Sequence, residues 1–367
     1  MKNFAYETAY FDLLGIIYLL EVKENSKYTQ VPVYSLARDF CLIIYQINRD
    51  LLNDSVKLDK NIKSMRHKVK LFQKGKNKEI YQKIIDSSIS QFGDDVDNIG
   101  FYLDNGLLAG STFFPQYIFL DTDILGNKPR MNQQNSLKFF QYVGATSSYM
   151  FDEVNKVITD QSIKLEALPE FIYPDKLPYQ TKDVHYSNLF IGEDQVALTR
   201  LLFIVQEATT CLWLKNGIST VRSELTLDNY ITIRLLSIKA DEVMDNLINM
   251  KRFLKESFNR IDDYCCGRLT GLIQYYEQTL LVECKQLRNF LHYNKSDENF
   301  YDFILTEIDK NNLYVNNLID QIVLELMKPL VEVISSYFQV DKMESMTDWK
   351  KIRNRLKTLI RNGFKLN

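Results

Sequence analysis

Along most of the chain the apolar residues recur with helical rather than strand spacing. Tyr10, Leu13, Leu14, Ile17 and Leu20 fall every three or four positions and predict a helix over Tyr6–Lys23. Gly15, Ile16 and Tyr18 leave that helix almost no polar face, so it is expected to be buried on most sides. The polar turn Glu24-Asn25-Ser26-Lys27 separates it from a second helix over Val33–Leu52, with Pro32 near the start. The basic stretch Lys57–Lys83 reads as a solvated helix face with a Gly75 loop. Between about Gly93 and Gly126, aromatic and aliphatic clusters are punctuated by Gly100, Gly106, Gly110 and Pro115, which predicts short strands or irregular packing. Helical spacing returns over Asn135–Thr159. Pro169, Pro174 and Pro178 then mark a connection without an amphipathic repeat.

The second half repeats the helical rhythm more strongly. Val196–Leu214 reads as a strongly apolar helix, and a longer helix is expected from Leu225 to Arg260. There Ile233, Leu236, Ala240, Val243, Leu247, Met250 and Leu254 alternate steps of three and four, laying one seam along the helix. A further helix is expected over Asp263–Tyr293, with Leu280, Cys284, Leu287 and Leu291 facing inward. After the turn Asn294-Lys295-Ser296, the inner face continues through Phe300, Ile304, Ile308, Val315, Leu318, Ile322 and Leu326 to Pro329, where a kink or break is expected. These elements predict a mainly α protein: a mostly helical N-terminal domain (1–167) with some irregular or short-strand structure, a connection (168–195), a C-terminal antiparallel helical bundle (196–340) and a basic tail helix (341–367).

Composition agrees with the helical reading and narrows the partners. The 367 residues include only 13 Gly and 7 Pro, few chain breakers for this length, and 46% are hydrophobic. A net charge of −2 excludes a globally basic duplex-binding domain and leaves local basic patches, of which the tail from Lys350 is one. The five cysteines lack the spacing of a zinc site or a disulfide framework, and are expected to be free thiols in a reducing compartment. Phe11–Leu20 stops at Glu21, well short of a bilayer span. A cytoplasmic protein with no membrane partner is therefore expected.

Only three histidines are available to any mechanism that needs an imidazole, and His292 has the best company, in Arg288-Asn289-Phe290-Leu291-His292. On a continuous helix, residues four apart lie one turn above each other, so Arg288 and His292 would share a face beside the apolar stripe. That pair suits a phosphodiester: a guanidinium holds nonbridging oxygens while an imidazole, titrating near neutrality, moves the proton. Asn289 can orient either group or contact a nucleotide, and Tyr293 can stack on a base. Cleavage through the ribose 2′-hydroxyl needs no metal or other cofactor, and none is expected. Asp121 with Asp123, the Asp94/Asp95/Asp97 cluster, Cys265-Cys266, and the isolated His67 and His185 read more simply as loop, solvated or packing residues.

The helical hairpin ending in Arg288-Asn289, followed closely by His292, resembles the HEPN superfamily, over about Val196–Phe338 and with three residues between Arg and His, a shorter interval than the family's usual one. The resemblance implies an HEPN-like bundle, a toxin or antiviral-defence endoribonuclease, a homodimer through the C-terminal bundle with a composite site, Arg288 and His292 as catalytic residues, and RNA or a nucleotide as ligand. Two other readings stay open: a noncatalytic helical interaction module that regulates a partner protein, and a nucleotide-binding regulator using Asn289 and Arg288. A plain surface pair at a helix C-terminus, where positive charge is favourable, would look the same in sequence.

Overall fold

The computed structural model describes residues 4–25, 30–66, 81–86, 89, 97–119, 133–158, 179–190, 192–219, 225–293 and 298–347. In chain order its elements are α1 (Phe4–Asn25), α2 (Gln30–Asp50), α3 (Lys60–Met65), β1 (Ile99–Asp104), β2 (Leu107–Ser111), α4 (Phe113–Phe119), α5 (Gln133–Asn155), β3 (Gln180–Val184), α6 (Tyr186–Leu189) and α7 (Gln195–Trp213). There follow α8 (Leu227–Phe253), α9 (Lys255–Tyr264), α10 (Arg268–Tyr275), α11 (Leu281–Asn289), α12 (Phe300–Lys310), α13 (Tyr314–Asp320) and α14 (Lys328–Phe338). Helix accounts for 77% of the described residues, so the protein is mainly α.

The near-absence of a polar face on α1 is explained by its neighbours: it packs on α5, α2, α8 and α12 at once. At Gly15 the approach to α8 is so close that a Cβ would lie 2.6 Å from Ile231. Helix α2 packs on α7, and α7 on α8, so the first fifty residues share one apolar core with the seam of α8. Ile233, Leu236, Ala240, Val243, Leu247 and Met250 are all buried in that core. The first fifty residues and the helices of the second half thus contribute to one buried cluster. Gln195–Ile218, α7 with its terminal π turn, is among the described residues the one helix long and apolar enough to cross a membrane, and 78% of its apolar window is buried here.

The Gly-rich middle segment forms a small antiparallel sheet in the order β2-β1-β3. Asn105 and Gly106, both at positive φ, make the tight β1–β2 turn. Gly110 lets β2 lie against α7: a Cβ there would meet Gln206 Oε1 at 2.7 Å, the same oxygen that accepts the Ser111 N–H at 3.1 Å. Thr209 Oγ1 donates to Ala109 O at 2.7 Å, and Ser335 Oγ accepts the Leu108 N–H at 2.9 Å, which fastens the hairpin to α7 and α14.

The long helices expected in the second half are segmented. α8 ends at Leu254, whose φ of −123° and ψ of 46° leave the helical region, and α9 begins at the next residue. Between α9 and α10, Cys266 (φ 57°) and Gly267 (φ 75°) turn the chain, and Asp262 caps the new start by accepting from Leu269 N at 2.9 Å and Thr270 N at 3.2 Å. A break at Asn311 separates α12 from α13. At Pro329 the backbone does not break: it widens into a π turn over Gln321–Met327 and continues as α14. Asp121, Asp123, Asp94, Asp95, His67, the 294–297 turn, much of the Lys57–Lys83 stretch, residues 168–178 of the connection and the basic tail from Lys350 lie outside the described residues.

Candidate functional site

α11 ends at Asn289, so the motif does not lie on one helical face as the periodicity suggested. Its last residues close in tight turns, Leu291 N to Arg288 O and His292 N to Asn289 O, both at 3.0 Å. His292 is set beyond the helix, and two different neighbours position the two groups. Arg288, on the last turn of α11, reaches α8 and forms ion pairs with Asp241 and, at 3.7 Å, with Glu242. His292 Nδ1 lies 2.8 Å from Gln46 Nε2 on α2. Asn289 is exposed, and Arg288 and His292 are half-buried. Tyr293 is different: 1% exposed, it donates its hydroxyl to Asp12 Oδ2 at 2.6 Å. Its ring is packed in the core and offers no face to a base, which corrects the stacking role assigned to it from sequence.

Behind Arg288 runs a chain of buried charges that periodicity could not reveal. Glu242 also binds Arg38 of α2; Arg38 binds Glu207 of α7 at 3.0 Å and Asp39 at 3.1 Å; and Lys239 joins Asp39 at 2.7 Å to Glu207 at 2.5 Å. At the near end, Asp241 Oδ1 accepts the Tyr276 hydroxyl at 3.0 Å. Three cations thus face four carboxylates, and only Arg288, with 29% of its side chain exposed, reaches appreciably into solvent. Burial pushes the Glu242 carboxyl above its ordinary pKa despite Arg38 and Arg288 beside it. Burial disfavours the Arg288 cation, but Glu242 and Asp241 outweigh that effect and its pKa is raised. Burying so many ions is costly unless each is paired, and here the pairs cross from α2 to α7, α8 and α11.

A second buried cluster fixes the turn that carries His292. Arg234 of α8 grips Asp12 of α1 through Nε at 3.0 Å and Nη2 at 2.8 Å, with both side chains fully buried. Tyr230 and Tyr293 give their hydroxyls to the same carboxylate, at 3.0 and 2.6 Å. The far side of the Arg234 guanidinium faces Leu287 O at 3.5 Å and Phe290 O at 3.4 Å, the carbonyls left over at the C-terminal end of α11. Phe300 lies 4.5 Å from the guanidinium carbon.

Asp97 and His185 also come together, His185 Nδ1 lying 2.9 Å from Asp97 O, but this pair sits by the sheet and ties β3 to the β1 entry. Cys265 is buried and Cys266 exposed. Among the described residues no group of three or more His, Cys, Asp or Glu is arranged to hold a metal ion. The residues that sequence reasoning missed are Asp12, Arg38, Asp39, Gln46, Glu207, Arg234, Lys239, Asp241 and Glu242. The available signal was a charge inside an otherwise apolar run, as in Phe11-Asp12-Leu13-Leu14 and Leu36-Ala37-Arg38-Asp39-Phe40. No protein-family model, curated protein or solved structure matches this chain.

Proposed function

We propose that the protein is an endoribonuclease of the toxin or antiviral-defence type, HEPN-like in its C-terminal part, cytosolic, and dimeric, with Arg288 and His292 as its reacting pair. The observation that carries this reading is that both are half-buried while their inner edges are fixed from other helices, Arg288 by Asp241 and Glu242 and His292 by Gln46. Groups already held by neighbouring helices need little reordering when a phosphate arrives. In the reaction the His292 imidazole takes the proton of a ribose 2′-hydroxyl. The 2′-oxygen bonds to phosphorus, the bond to the 5′-oxygen breaks, and that oxygen takes a proton from the imidazolium of a second copy. The products are a 2′,3′-cyclic phosphate and a 5′-hydroxyl. Arg288 holds the nonbridging oxygens and Asn289, exposed next to it, contacts the nucleotide. Gln46 Nε2, a donor, lies at His292 Nδ1, and proton removal by His292 Nε2 requires the amide to turn so that Oε1, buried without a partner, accepts from Nδ1–H instead.

One observation favours the rival reading of a noncatalytic interaction module: Arg288 already faces two carboxylates, which would also suit a structural lock. Purified full-length protein incubated with end-labelled RNA separates the two. The nuclease reading expects cyclic-phosphate ends and a loss of about 10²- to 10⁴-fold in His292→Ala. A folded wild type that cuts no RNA, or undiminished cutting by both His292→Ala and Arg288→Ala, rejects it in favour of the module.

A further inference from the structure

The chain of ion pairs has a second end, away from Arg288. Arg38 lines a recess between α2, α4, α7 and α8, opposite Arg200 of α7, with Tyr117 of α4 and Asn246 of α8 completing its polar wall. Phe114 and Phe203 form the apolar wall, and the Tyr117 and Phe203 rings stack at 4.8 Å. The empty space is about 370 Å³ with the mouth included, of which about 30 Å³ can be occupied by the centres of water molecules. At ~10–15 Å³ per water, that inner part holds about two.

The chemistry of this wall is dominated by donors. Arg38 and Arg200 are each 2% exposed; the Arg38 Nη groups are held by Glu207, Asp39 and Glu242, and its Nε is buried without a hydrogen-bond partner. Burial lowers the Arg200 pKa to about 10, so it is still a cation at neutral pH. Burial drives Tyr117 well above the ordinary phenol range, so its hydroxyl keeps its proton. Asn246 donates to Glu242 O at 2.9 Å and retains a second N–H. The one carboxylate in the wall, Glu207, is engaged by Arg38 and Lys239.

We propose that this recess is a binding site for one small oxoanion group, carboxylate- or phosphate-sized, gripped by Arg200 and Arg38 with the Tyr117 hydroxyl as a further donor. Two water volumes admit such a head and exclude a nucleoside, so the body of any larger ligand lies in the mouth over Phe114 and Phe203. A buried guanidinium beside aromatic walls recognises a planar or tetrahedral oxoanion through paired N–H donors in a low-dielectric setting, and Arg38 adds its Nε–H. The site is separate from the Arg288/His292 pair and does not depend on RNA cleavage.

Isothermal titration calorimetry of the full-length protein, with inorganic phosphate in one arm and acetate in the other at matched ionic strength, tests it. One saturable site per chain is expected for one of the two ions, and which ion binds identifies the head group. Arg200→Met, which keeps length and apolar bulk, is expected to weaken binding at least tenfold. No saturable heat with either ion, or an unchanged dissociation constant in folded Arg200→Met, overturns the proposal. If Arg200→Met does not fold, Tyr117→Phe decides instead: it keeps the ring stack on Phe203, a severalfold loss supports the site, and unchanged affinity overturns it.

Discussion

The Asp12–Arg234 pair makes the most demanding test of how this core is held. Both side chains are fully buried, and the carboxylate accepts from Arg234 Nε and Nη2, Tyr230 and Tyr293. Asp12→Leu removes the acceptor but leaves a guanidinium inside, with only Leu287 O and Phe290 O at 3.4–3.5 Å and the Phe300 ring for company. Breaking a buried pair from one side costs about 3–5 kcal/mol, because the surviving charge is left uncompensated. Arg234→Met strands the carboxylate and is expected to cost a similar amount. The double variant strands neither charge, so it should lose far less than the two single losses together, giving a coupling of about 3 kcal/mol in a double-mutant cycle. Urea denaturation followed by far-ultraviolet circular dichroism measures all four corners. Single losses under about 1 kcal/mol, or a double variant equal to the sum of the singles, would refute the claim that this pair is a desolvated, mutually dependent unit.

Glu242 gives a pH signature. Its folded pKa lies above the ordinary 4.5, so the native state binds that proton more tightly than the unfolded chain does. The wild type is expected to lose stability relative to Glu242→Gln as pH rises from about 4.5 through the raised folded value. Unfolding free energies of both proteins between pH 4 and 8 check this, and a difference flat in pH contradicts it. For the thiols, burial pushes Cys211 up to about 12 and Cys265 up to about 11, while Cys41 and Cys284 are also buried. Ellman's reagent on the native protein is expected to titrate one fast thiol, Cys266, and all five only in denaturant. Several fast thiols in the native state, or Cys266→Ser leaving the fast phase intact, would count against the packing of α9 on α10.

Periodicity carried the helices and their buried faces but not their ends. The seam from Ile233 to Met250 is buried as expected, and the all-round apolar character of α1 correctly announced burial on most sides. A three-and-four repeat persists across a local break, however, so it joins α8 to α9 and carries the helix expected from Asp263 through the Cys266-Gly267 turn, whereas α10 and α11 are continuous through a π turn at Tyr276–Leu280. Gly267 after Cys266 and Asn105-Gly106 between two apolar runs were turn signals already present in the sequence. At Pro329 there is no break, since a π turn before it accommodates the missing donor and the helix runs on. Length suggested two domains, and it could not show that what covers α1 includes α8 and α12, more than two hundred residues later.

The site was legible only at its surface. Arg288 stood out because a histidine follows it, whereas its partners Asp241 and Glu242 lie forty-odd residues upstream, and Glu242's other partner, Arg38, is 204 residues from it. No local pattern encodes such pairings; the hint is only that a charge sits where the rhythm demands an apolar residue. Those carboxylates change what Arg288 can offer. They offset its charge, so long-range attraction for a phosphate is weaker than for an isolated arginine. They also fix the plane of a side chain that would otherwise lose about 2 kcal/mol of rotamer freedom on being immobilised. What the fold supplies at Arg288 is therefore orientation more than charge, and the same buried pairs that set that orientation tie it to α2 and α7 through Arg38 and Glu207.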